Sequence, residues 1–112
     1  MILTTITPVY YPNWIGNRQV YCGTGNGPAT YDATNGDALS VAFNPFFIDD
    51  VLGGAHISLS GNYIVIPKPV TVGKGATWAL YWYAFNKATG ALSAASGNLS
   101  AEQVQLSVLG GP

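Results

Sequence analysis

The sequence predicts an all-β fold, an antiparallel β-sandwich of jelly-roll-like form built from about seven or eight short strands. Three observations carry this. Segments free of Gly and Pro are short, with 14 Gly and 7 Pro in 112 residues, which opposes a helical bundle. Those segments are rich in β-branched and aromatic residues, and their apolar positions alternate with a period of two. Turn residues punctuate them at regular intervals. The length suits one domain around one core.

Residues 1–14, MILTTITPVYYPNW, are uncharged, apolar and broken by Pro8 and Pro12. They read as an extended N-terminal arm ahead of a single sandwich domain over 15–112. Such an arm either completes the sheet or lies on a neighbouring molecule, and its removal is expected to leave a folded domain that no longer docks. After the turn Ile15-Gly16-Asn17, Arg18 to Thr24 alternates as a strand, and Gly23 to Pro28 reads as a mobile hairpin tip. The turn Asn35-Gly36-Asp37 opens Ala38 to Phe43, with Leu39, Val41 and Phe43 on one face, and Asn44-Pro45 ends it. Phe46 to Leu52 and Ala55 to Leu59 are two further short strands separated by Gly53-Gly54.

Ser60-Gly61-Asn62 leads into Tyr63 to Ile66, a strand that Pro67 and Pro69 stop or confine to a sheet edge, because neither can donate to a ladder. An edge strand is the expectation. Thr77 to Phe85 carries the strongest pattern: Trp78, Leu80, Trp82 and Ala84 point one way, Ala79, Tyr81, Tyr83 and Phe85 the other. Both faces are apolar, as in a central strand covered on both sides, with another subunit a candidate for one cover. Asn86 to Gly90 is a turn joining it to Ala91 to Ser96 as a hairpin. Ser100 to Gln103 has capping-box spacing, so one helical turn at most precedes a last strand with Val104, Leu106 and Val108 on one side.

Charge is the unusual quantity. Only 8% of the residues are charged, against about 25% in an ordinary domain. Four cations, Arg18, Lys68, Lys74 and Lys87, are spread singly along the chain, so phosphate neutralisation on a nucleic acid is set aside. Polarity comes mainly from Ser, Thr, Asn and Gly, whose neutral groups are buried at an interface with less desolvation cost than ions. That composition suits a subunit packed against neighbours. One cysteine, Cys22, leaves no internal disulfide and no zinc site of two or more thiolates; on its strand it reads as a buried structural thiol. The opening residues lack the charge pattern of a signal peptide and the length of a membrane span, so neither membrane nor secretion is expected.

Few residues carry chemistry. His56 is the lone histidine and reads as structural, since acid–base work needs a second group. Asp49 and Asp50 are the only adjacent carboxylates, and neighbours on a strand face opposite ways unless the backbone bends, so no metal site is expected. Gly23 to Pro28 lacks a following helix and Gly73-Lys74-Gly75 lacks the remaining P-loop residues, so neither reads as a phosphate cradle. No catalytic residue, cofactor or enzyme activity is expected. The aromatics are ranked as core first, protein interface second and sugar-stacking platform third. Tyr10, Tyr11 and Trp14 on the arm, with Asn44, Phe46 and Phe47 as a second patch, are the candidate interface residues.

Several blocks taken together resemble the small virion proteins of tailed bacteriophages, in particular capsid decoration or cement proteins. They are Gly16-Asn17-Arg18, the segment Tyr31 to Ser40, Ile48-Asp49-Asp50-Val51-Leu52 and Ser60-Gly61-Asn62-Tyr63. Further on come Phe85 to Gly90, and Asn98 to Glu102 leading to a strand closed by Gly110-Gly111. The resemblance covers roughly residues 16–111 and rests on turn and strand patterns. It implies a small β-sandwich on the outside of a capsid, bound to the major capsid protein and to copies of itself as a dimer or trimer, and so located in the virion. The alternatives are a tail or fibre component and a carbohydrate-binding sandwich module.

Overall fold

The computed structural model describes residues 1–5, 13–15, 18–42, 47–72 and 76–111. They are all-β. The strands are β1 (Ile2–Thr5), β2 (Asn13–Ile15), β3 (Arg18–Asn26), β4 (Asp37–Ala38), β5 (Ser40–Val41) and β6 (Phe47–Leu52). They continue as β7 (His56–Ile57), β8 (Tyr63–Pro69), β9 (Trp78–Phe85), β10 (Leu92–Ala94) and β11 (Gln103–Gly111). One sheet has the order β5-β1-β3-β11-β6, with β2 also on β3; the other has the order β10-β9-β8-β7, with β4 also on β9. Every pairing is antiparallel except β1 with β5. Several of the eleven are two- or three-residue bridges, which is why they outnumber the strands expected from the sequence.

The core lies between the sheets and follows the predicted alternation. Val104, Leu106 and Val108 of β11 meet Leu80 and Trp82 of β9 and Val65 of β8, all buried. The second edge of β9 is satisfied piecewise. β4 pairs with Ala79 and Leu80, and β10 with Tyr83 to Phe85. Between them the backbone N–H of Trp82 donates to Tyr31 Oη at 2.9 Å, and its carbonyl accepts from the Ala95 N–H at 3.0 Å. Burial holds the Tyr31 phenol above its ordinary pKa.

Of the two roles open to the N-terminal segment, residues 1–5 take the first and complete the sheet: β1 pairs with β3 and β5, Leu3 is in the core, and the Met1 amino group contacts Asp37 Oδ1 at 2.7 Å and the Ala38 carbonyl at 2.6 Å. Three expectations are corrected. The glycines of the supposed hairpin tip are load points for β1. Gly23 and Gly25 lie within β3, where a Cβ would meet the Thr4 carbonyl at 2.6 Å and the Met1 side chain. Only glycine lets the two backbones approach so closely.

The expected strand from Ala38 to Phe43 is two strands, because the chain changes sheet at Leu39. The Leu39 N–H donates to the Trp78 carbonyl, whereas the next N–H, of Ser40, donates to the Met1 carbonyl in the opposite layer. Pro67 and Pro69 do not stop β8, which runs through both to pair with β9. Their nitrogens face away from β9, on the side where β7 ends opposite Val65, so no ladder bond is lost. Leu99 to Glu102 is a single hydrogen-bonded turn in which Asn98 Oδ1 accepts from the Ser100 N–H at 2.9 Å, within the limit of one turn ahead of the last strand.

Candidate docking face

In β9 the residues alternate strictly, and the second sheet uses only one parity for the core. Trp82 sits opposite Val65, and both are fully buried. The other parity faces away from the core across all the strands. Tyr83 is flanked by Ile64 on β8 and Ala94 on β10, with Ile57 beyond Ile64. Tyr81 lies beside Ile66, and Phe85 beside Leu92. The same parity continues to Val70, whose N–H donates to the Thr77 carbonyl. Near Ala79 and Tyr81 the Thr34–Gly36 turn closes over this face, with Gly36 against both side chains and Tyr81 Oη donating to the Thr34 carbonyl, so that Ala79 is buried. Elsewhere among the described residues the face is open, with Ile57 68% exposed, Val70 63% and Leu92 49%, and Ile64, Ile66, Tyr81 and Tyr83 half-buried.

Among the described residues a single cation stands on the face. Lys68 lies between Ile66 and Val70, and its Nζ is 4.5 Å from the centroid of the Tyr81 ring. This contact holds the ammonium against the sheet. The two described ion pairs are Met1 with Asp37 and Arg18 with Asp49, so no described carboxylate neutralises it. At the far end of β9 the turn carries Lys87, whose Nζ reaches towards Gly61.

The sheet edges are guarded. The prolines of β8 remove donors from its open stretch, and β6, the edge of the other sheet, carries a bulge opposite Leu109 and Gly110. The bulge turns Asp49 and Asp50 away from the core together, the bend that a regular strand would not give. Asp49 Oδ2 accepts from Arg18 Nε at 2.6 Å. Among the described residues no group of three or more His, Cys, Asp or Glu is placed to hold a metal ion.

On the outside of the first sheet lies an open depression of about 480 Å³, lined by Cys22, Leu52, Gly53, His56, Gln105, Leu106 and Ser107. Cys22 is half-exposed there rather than buried, with Sγ 3.2 Å from Ser107 Oγ, because its parity on β3 is opposite to that of Tyr21. His56 Nε2 is buried with no hydrogen-bond partner among the described residues.

The expected interface residues are distributed differently. Tyr10, Tyr11, Asn44 and Phe46 lie outside the described residues; Trp14 is in β2, on the edge of β3; Phe47 is exposed at the start of β6. Phe47 therefore belongs to the first sheet and not to the apolar face. The sequence did signal that face through the aromatic outer parity of β9, but its extension to Ile57, Val70 and Leu92 depends on register between strands. No protein-family model, curated protein or solved structure matches the chain.

Proposed function

We propose that the chain is a non-enzymatic structural protein of a tailed-phage virion, a decoration or cement protein seated on the outer surface of the capsid. The observation that carries this reading is the uncovered apolar face of the second sheet on a molecule whose edges are guarded. A sandwich that suppresses strand addition and leaves one broad face apolar is built to be covered by another surface. Its low charge supports the same reading, since little ionic desolvation opposes docking. A subunit that binds only the assembled shell adds its binding free energy to that state and opposes rupture.

The test is cryo-electron microscopy of native particles, together with the heat resistance of particles made without this chain. Density repeated across the lattice, with earlier rupture when the chain is absent, is the expected result. Density confined to a tail or one vertex moves the chain to the tail or fibre reading, and its absence from particles refutes a virion role.

A further inference from the structure

The apolar face fits a surface of a particular chemistry. We infer that it docks on a different polypeptide, an apolar patch of the major capsid protein bearing a carboxylate that meets Lys68, and not on a second copy of this chain. The inference rests on the proposed virion role and assigns the surface that performs it.

The area is right for a specific interface. Large side chains offer roughly 150–250 Å² each when fully exposed, so the exposures of Ile57, Val70 and Leu92 and the partly covered residues between them leave roughly 500 Å² of apolar surface. A standard interface buries about 800 Å² per partner, a little over half of it apolar, which is about 450 Å². The face therefore meets the requirement on its own, without the N-terminal residues expected to supply it.

Charge decides the occupant. Lys68 stands near one end of the face and Lys87 beyond the other, and no described carboxylate pairs with Lys68. A two-fold axis lying in the contact plane relates each end of the face either to itself or to the opposite end. Both arrangements bring cation towards cation. A partner carboxylate removes that conflict and fixes the register of an otherwise non-directional apolar contact. The cation over Tyr81 also occupies a ring that a sugar would need for stacking, which disfavours a glycan as the occupant.

The experiment uses shells assembled from the major capsid protein without this chain, titrated with the purified protein, while light scattering follows the free protein. Lys68→Glu lies on an exposed side chain and is expected to leave the fold intact. It is expected to weaken shell binding by about 30-fold or more, Lys68→Met by less, and Gln105→Glu on the opposite sheet not at all. A photo-cross-linking residue at position 66 is expected to capture the capsid protein.

Binding of the Lys68→Glu protein with wild-type affinity, while the wild type binds well, overturns the inference and leaves the virion role standing. Capture of a second copy at position 66, or a micromolar dimer broken by Tyr83→Ser, also overturns it. So does saturable oligosaccharide binding lost in Tyr83→Ala. Failure of the wild-type protein to bind shells at all removes the decoration role and this occupant with it.

Discussion

Replacing Leu3 by Ala tests whether the first strand belongs to the core. Leu3 is 0% exposed and packs in the central cluster, whereas its neighbour Ile2 is 61% exposed on the other parity of β1. Burying a leucine contributes about 1.5–3 kcal/mol, and truncation to Ala adds the cost of the unfilled space, for a total of about 3 kcal/mol. Folding free energies of domains this size are about 5–15 kcal/mol, so the loss is a large share of the whole. It corresponds to a melting temperature lower by about 12–20 °C. Ile2→Ala is expected to cost under about 1 kcal/mol. The assay is urea unfolding followed by tryptophan fluorescence, with the slope checked for a common two-state transition. Equal midpoints for the two variants, or a Leu3→Ala protein as stable as wild type, would refute the placement of β1. By the same reasoning a protein lacking residues 1–14 loses cooperative folding as well as docking.

Two other perturbations follow from the core. Tyr31→Phe leaves the Trp82 N–H buried without its acceptor and is expected to cost about 1–3 kcal/mol in denaturant unfolding. Because the Tyr31 pKa is raised in the folded state by burial, the unfolded chain releases that proton first, so stability falls as pH rises above about 10. This alkaline limb should be shallower in Tyr31→Phe. At Gly27 a Cβ would meet the Leu99 carbonyl at 2.5 Å, whereas at Gly54 nothing lies within 4 Å. Gly27→Ala is thus expected to lower stability by about 1–3 kcal/mol and Gly54→Ala to leave it within about 0.5 kcal/mol, as read from thermal melts.

Much of this architecture is legible in the sequence wherever alternation is long. The runs that became β3, β9 and β11 have enough residues for a period of two to assert itself, and each is a strand of its sheet. Short segments are less readable. Ala38 to Val41 alternates regularly, but alternation is blind to a change of partner, and the chain crosses from one sheet to the other at Leu39. The lack of charge in residues 1–5 suits an exposed docking arm and a core strand equally well, and only the glycines of β3 reveal which strand they were cleared to receive. Pro67 and Pro69 mark an edge, correctly for the end of β8 and wrongly for Tyr63 to Val65, which β7 and β9 flank. The apolar outer face was half visible, since the sequence shows two apolar parities in β9 without showing which one the other sheet covers.

The arrangement of β1 and β11 on the two sides of β3 has a mechanical meaning. Both run antiparallel to β3, so they are parallel to each other, with residue 2 at one end of the ladder and residue 111 at the other. Tension applied between those two points acts along the strands. It loads the hydrogen bonds of β3 in shear, so that many must yield together, where a hairpin pulled from its open end would unzip them singly. A domain wired in this way transmits stretching force through the β1-β3-β11 ladders, while the second sheet, with its apolar outer surface, hangs outside the line of pull.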